Sequence, residues 1–255
     1  MFTSLNPYNN EVLASYEVIS SRQMHLKVDV SDKAFRSWKM VSLAERLSLL
    51  KRLADILRKH QESYALMITQ EMGKPIYESR AEIAKCAWVC DYYAAHSVDF
   101  LADKCIATDA SKSYVRIEPI GSILAIMPWN FPFWQVFRFA VPTLIVGNTV
   151  MLKHASNVMG CAFLIEDIFR KAGYPESVFQ TLAVSHEQTE ELLSREEVRA
   201  VSLTGSERAG VAIAQIAGKN LKKCVLELGG NNAFIVLHDA DLELTIRTAV
   251  KARML

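Results

Sequence analysis

The 255 residues are 51% hydrophobic and 22% charged, a globular composition long enough for one large or two ordinary domains with a proper core. A net charge of +1 gives no electrostatic reason for a nucleic-acid or anionic-membrane partner, and no uninterrupted apolar run reaches the roughly 20 residues that a bilayer span requires. The five cysteines, Cys86, Cys90, Cys105, Cys161 and Cys224, are odd in number and form no CxxC pair, which fits buried thiols in a reducing, cytoplasmic compartment and no metal site.

The N-terminal stretch lacks the basic-then-apolar pattern of a leader. Asn6-Pro7-Tyr8-Asn9-Asn10 is a turn cluster, and Glu11 to Tyr16 reads as a short strand. Ser31 and Asp32 are the expected N-caps of a helix through Ala34, Phe35 and Trp38. Leu43, Leu47, Leu50, Ala54 and Leu57 form an amphipathic stripe with Arg46, Lys51, Arg52 and Lys59 outside it. A third helix, about Gln61 to Met72, stops at Gly73-Lys74-Pro75, and a fourth continues through Ala81, Ala84, Ala87 and Tyr92. Tyr114, Arg116 and Glu118 alternate with Val115 and Ile117 before Pro119, the pattern of an exposed strand.

From Gly121 onward strand and helix alternate. Strands are expected at Ser122 to Ile126, Thr149 to Leu152, Val178 to Leu182, Ala200 to Leu203 and Cys224 to Glu227. Helices are expected through Phe137 and Ala140, from Val158 to Ala172, around Thr189 to Leu193, and from Val211 to Ile216. Repeated units of this length imply an α/β fold with a doubly wound parallel sheet, preceded by helices and a small protruding strand segment at about 105–119.

Polar residues collect where the expected strands end. Pro128 and Pro132 make the segment after the first strand of the sheet a rigid loop, and Asn130 between them is placed to donate to a substrate oxygen. The other reading is an aromatic plug of Trp129, Phe131, Phe133 and Trp134 with Asn130 as turn former. Lys153 ends the second strand and could reach ribose hydroxyls. Gly205-Ser206-Glu207-Arg208-Ala209-Gly210 joins a strand to a helix, so its free amides suit a phosphate, or else Ser206 simply caps a tight turn. Glu227 ends a strand of Cys, Val and Leu, where desolvation would raise its pKa toward that of a general base. Pairing with Lys222 or Lys223 is the alternative.

Pro128-Trp129-Asn130-Phe131-Pro132, Leu152-Lys153, Leu203-Thr204-Gly205-Ser206-Glu207-Arg208-Ala209-Gly210 and Leu226-Glu227-Leu228-Gly229-Gly230-Asn231-Asn232 together resemble the aldehyde dehydrogenase superfamily in order and spacing. Glu71-Met72-Gly73-Lys74-Pro75 and Glu118-Pro119-Ile120-Gly121 also fit, so the resemblance covers nearly the whole chain, and its flavour is that of the succinate-semialdehyde dehydrogenase branch. It implies an oxidoreductase using NAD or NADP on a small aldehyde, homo-oligomeric in the family. Asn130 would be an oxyanion donor and Glu227 the activator of a hydrolytic water. Lys153 would bind the adenosine ribose and Ser206 the pyrophosphate, with Ile126, Pro128, Trp129, Gly205, Gly210, Leu228 and Gly229 also along the cofactor's path. Arg138 matches a position where semialdehyde-specific relatives hold the substrate carboxylate; a surface helix arginine is the other reading.

Two departures accompany the resemblance. Ser156 stands where many NAD-preferring relatives carry a glutamate that grips both ribose hydroxyls, so repulsion against a 2′-phosphate is removed and NADP becomes possible. The family's nucleophilic cysteine lies about 34 residues beyond the glutamate, near position 261, past Leu255. The resulting expectation is a dinucleotide-binding domain over 1–230 and the start of a truncated catalytic domain over 231–255, inactive alone. The alternative is a non-catalytic dinucleotide-binding fragment or one half of a split enzyme.

Overall fold

The computed structural model describes residues 1–253; Met254 and Leu255, the end of the segment expected over 231–255, lie outside the described residues. The chain opens with an antiparallel pair, β1 (Phe2–Leu5) and β2 (Val12–Tyr16). Four helices follow: α1 (Ser21–Trp38), α2 (Leu43–Lys59), α3 (Gln61–Met72) and α4 (Ile76–Phe100). Gly73 ends α3 in the left-handed region, with φ of 80°, which glycine adopts without a Cβ penalty.

α1 begins eleven residues before the start expected from a Ser31 cap. Ser20 and Gln23 form a capping box, Ser20 Oγ accepting from the Gln23 amide at 3.3 Å and Gln23 Oε1 from the Ser20 amide at 2.9 Å. Ser31 is therefore inside the helix, where its buried hydroxyl lies 3.0 Å from both Thr149 Oγ1 and Ser122 Oγ. A polar position that resembles a cap is a tie between α1 and the sheet. The exposed strand expected through Glu118 is also shorter: β3 (Lys104–Cys105) pairs with β4 (Tyr114–Val115), and Arg116 leaves the ladder to hold Asp103 at 2.6 Å.

The rest is a five-stranded parallel sheet. β5 (Ser122–Met127), α5 (Trp134–Val146), β6 (Thr149–His154), α6 (Met159–Lys171) and β7 (Phe179–Thr181) progress to one edge, and α7 (Gln188–Ser194), β8 (Val198–Gly205), α8 (Glu207–Lys219) and β9 (Lys223–Leu228) to the other. The strand order is β7-β6-β5-β8-β9, so the direction of winding reverses between β5 and β8. α9 (Leu242–Arg253) follows with none of its residues buried.

Helices on both faces explain why the strands are apolar throughout. Ala125, Met127, Val150 and Leu152 face a core built with α2 to α6, while Leu124, Met151, Val201 and Leu203 face one built with α1, α7 and α8. Successive side chains point to opposite faces, and both are covered, so no alternation appears.

Candidate functional site

In a doubly wound sheet the strands part at the point of reversal, and the loops beyond their C-terminal ends leave a crevice there. Here that point is between β5 and β8. A cleft of about 450 Å³ opens beyond them, lined by Pro128, Trp129 and Asn130 after β5, Gln135 of α5, Thr204, Gly205 and Ser206 at the end of β8, and Glu227, Leu228 and Gly229 at the end of β9.

The Pro128–Phe133 loop is held from behind by two buried groups. Glu82 of α4 accepts through Oε1 from the amides of Phe133 and Trp134, at 2.8 and 2.9 Å, and through Oε2 from Lys74 Nζ at 2.6 Å. A carboxylate thus satisfies the open donors of α5. The Lys74 ammonium lies 3.5 Å from the centroid of the Phe131 ring. On the other side the Nε2 of the buried His154 lies 2.9 Å from the Pro132 carbonyl, to which it donates, while its Nδ1 lies 2.9 Å from the Ala155 amide and 3.2 Å from the Met127 carbonyl. Burial, chiefly, pushes its pKa down to about 4, so near neutral pH it acts as a neutral strut. Of the aromatic plug only Phe133 is fully buried; Trp129 is half exposed, and the Asn130 amide is exposed at the cleft.

At the end of β8, Ser206 Oγ accepts from the Ala209 amide at 3.3 Å and caps α8. The positive end of α8 therefore faces the cleft with further first-turn amides open. Gly210 serves a different purpose: a Cβ there would meet Leu228 Cδ2 at 2.6 Å, so its bareness permits the contact of α8 with β9, and it lines neither cavity.

Glu227 departs from both expectations. β9 is an edge strand, and the Glu227 side chain is 55% exposed, so the desolvation expected for it is absent. Nor does Lys222 pair with it, since that ammonium donates to the carbonyls of Arg195 and Val198. The nearby cation is Arg138, whose Nη1 lies 3.6 Å from Glu227 Oε2 while Nη2 reaches Thr204 Oγ1 at 3.4 Å. Arg138 thus spans from α5 to the ends of β8 and β9 and is not a solvated surface arginine.

A second, smaller cavity of about 180 Å³ adjoins along the same strands, taking in Ile126 and Leu203 where the first takes in Pro128 and Thr204. Its floor is the Ala209–Ile216 face of α8, and Lys153, His186 and Thr189 complete it. Lys153 is only 6% exposed, and burial lowers its pKa against the opposing charge of Glu187. Ser156 lies in a short turn after β6, exposed and outside both cavities.

Most of these residues stand in recognisable motifs, but Gln135, His186 and Thr189 have no motif of their own, nor has the supporting Glu82, and none of the four is expected at the site from sequence. A single acid among Ala81, Ile83, Ala84 and Cys86 is the signal that could have exposed Glu82. None of the five thiols lines the cleft: Cys86, Cys90 and Cys161 are buried with their pKa raised by that burial, Cys105 is on β3, and Cys224 is within β9. Among the described residues there is no cluster of three or more acidic, His or Cys side chains that could hold a metal ion, and no helix long and apolar enough to cross a membrane.

The model of the aldehyde dehydrogenase family matches residues 1–255. The chain belongs to the aldehyde dehydrogenase family. It is 45% identical over 251 residues to the probable succinate-semialdehyde dehydrogenase (NADP(+)) of Synechocystis sp., covering 98% of this chain and 55% of that relative. It is 44% identical over 250 residues to the succinate semialdehyde dehydrogenase (NAD(P)+) Sad of Escherichia coli, covering 98% and 54%. The crystal structure of succinic semialdehyde dehydrogenase from Streptococcus pyogenes in complex with NADP+ superimposes with a TM-score of 0.92 at 38% identity, over 95% of this chain and 54% of that one. The chain thus spans about half the length of these aldehyde dehydrogenases.

Proposed function

We propose that this chain carries the dinucleotide site and one wall of the active site of an NAD(P)-dependent aldehyde dehydrogenase, with a carboxylate-bearing aldehyde such as succinic semialdehyde as substrate. The observation that carries the reading is the pair of adjoining cavities at the β5–β8 reversal. The apolar one has a buried ammonium at its side, and the polar one has a helix N-terminus, an amide and a carboxylate around it. A dinucleotide has matching parts: an aromatic base with ribose hydroxyls at one end, phosphates in the middle and a reactive ring at the other. Names of the related enzymes point to the same cofactors and aldehyde.

The residues divide the work by position. α8 offers apolar side chains to the base, and Lys153 donates to ribose hydroxyls. The open amides of the first turn of α8 donate to phosphate oxygens, with Trp129 and Pro128 bounding the path toward Asn130. When bound, the dinucleotide supplies the hydride acceptor. The Asn130 amide donates to the oxygen of an aldehyde carbonyl as it gains negative charge, and a preorganised donor of this kind gains most where water is excluded. Glu227, exposed to the cleft, takes a proton from a water. Arg138 offers its guanidinium to the carboxylate of the substrate.

A thiol is the one group this reading needs that the cleft does not receive from the five cysteines. That favours a second reading of the same polypeptide as a non-catalytic dinucleotide binder or one half of a split enzyme, assembling through the exposed β3–β4 hairpin and β9–α9 surface. The unpaired thiols suit a cytoplasmic setting. Two measurements separate these cases. NAD or NADP should raise the melting temperature of the 255-residue chain in a concentration-dependent way, and the same preparation should form no NAD(P)H from succinic semialdehyde. Absence of any shift overturns the dinucleotide reading, while robust turnover overturns the statement that this polypeptide alone lacks a competent nucleophile.

A further inference from the structure

The smaller cavity has two basic nitrogen groups, brought by segments distant in the chain. Lys153 comes from β6. His186 comes from the connection between β7 and α7, which is fixed in several places. The Leu182 amide donates to the Leu152 carbonyl at 2.8 Å, and the Ile19 amide to the Ala183 carbonyl at 2.9 Å. The Ser185 amide donates to Gln188 Oε1 at 2.9 Å, Gln188 Nε2 to the Ile19 carbonyl at 2.8 Å, and the Thr189 amide to the His186 carbonyl at 3.1 Å. The backbone of His186 is therefore set beside β6, with the imidazole exposed at the mouth of the cavity and Lys153 deeper inside.

The other lining is neutral: Ile126 of β5, Leu203 of β8, Thr189 of α7 and the Ala209–Ile216 face of α8. One carboxylate, Glu187, acts on both groups from the same connection. With an adenine on the apolar floor and a ribose beside Lys153, a phosphate on the 2′ oxygen would lie between ammonium and imidazole. We propose that His186 is a specificity-determining residue that, with Lys153, forms the seat for the 2′-phosphate of an adenosine-containing dinucleotide. This rests on the dinucleotide reading above and adds a residue to it that Ser156 alone does not provide, since Ser156 is outside the cavity.

The chemistry has a measurable sign. In the free protein the Lys153 charge, with some burial, holds the imidazole pKa below its ordinary value, and Glu187 opposes this. A phosphate dianion favours the protonated imidazole, so binding takes up a proton at His186, and preference for the 2′-phosphate falls as pH rises. The second ionisation of the phosphate, near pH 6, works the other way, but equally for any variant of the protein.

The test is the ratio of Kd values for two probes, 5′-AMP and 2′,5′-ADP, from about pH 6 to pH 8.5, for the 255-residue chain and its His186→Gln and Glu187→Gln variants. The native chain should prefer 2′,5′-ADP about tenfold more strongly than His186→Gln at the low end, as the loss of one charge-assisted hydrogen bond implies, and the difference should shrink toward pH 8.5. Glu187→Gln should increase the preference. Equal ratios in the native and His186→Gln chains at every pH, with 5′-AMP bound by both, overturn the role of His186. No binding of 5′-AMP by the folded native chain overturns the dinucleotide reading itself and the assignment with it.

Discussion

Glu82 and His154 do more for the cleft than their distance from it suggests, because each replaces a partner that the Pro128–Phe133 loop lacks. Glu82→Gln leaves the buried Lys74 ammonium uncompensated, and removal of one partner of a buried pair costs about 3–5 kcal/mol. Urea denaturation should show that loss. His154 adds a pH dependence. Its folded pKa of about 4 is below the ordinary 6.5, so the unfolded chain binds the proton more readily. The stability it contributes is fully present above pH 6.5 and is lost as pH falls toward 4, by roughly 3 kcal/mol in total. His154→Gln, whose amide can still donate to the Pro132 carbonyl, should flatten the slope of unfolding free energy over that window. Neither role is legible from the sequence, where His154 reads only as the residue after Lys153. Its ring meets a carbonyl 22 positions away, and no local pattern announces that. Arg138 is a similar case: its reach to Glu227 depends on the register of β8 and β9 beside α5.

Glycines show at the level of elements which contacts are tight. Glu71 caps α6 by accepting from the amides of Gly160 and Cys161 at 2.8 and 2.7 Å, and it also accepts from Ser4 Oγ at 2.6 Å. A Cβ at Gly160 would come within 2.7 Å of Glu71 Oε1, and the carboxylate, held by three donors, has no room to yield. Gly160→Ala should therefore destabilise by about 1–3 kcal/mol. Gly218 is the opposite case, an exposed helical position with nothing within 4 Å of an added Cβ. Gly218→Ala should stabilise by roughly 0.5–1 kcal/mol. Thermal unfolding of the two variants checks the pair, and the signs should differ. Elements are also where the sequence is most informative. The run Ser122 to Ile126 is continuous in hydrophobicity because helices cover both faces of β5, and β6 repeats the pattern at Thr149 to Leu152. α1 is less legible because Ser31 is recruited by Thr149, 118 positions on, whereas the true cap is the pair Ser20 and Gln23.

For the molecule as a whole, the two faces of the sheet are well covered, but its β9 edge is not. Val225, Leu228, Phe234, Ile235, Leu237, Leu242 and Ile246 are all exposed, a contiguous stretch of chain of the kind that drives association. The chain should bind a hydrophobic dye and scatter light increasingly with concentration. Replacing Phe234, Ile235 and Leu237 by serine should reduce both without lowering the melting temperature, since none of the three is part of either core. The five-stranded sheet is complete without a cover on that edge, and with it the two cavities at the β5–β8 reversal. Calorimetric titration of the 255-residue chain with NAD and NADP tests that claim most directly. One saturable site is expected, weakened about tenfold or more by Lys153→Met through loss of a charged donor. A folded chain that releases no heat with either dinucleotide, or a Lys153→Met variant that binds both as well as the native chain, would contradict it.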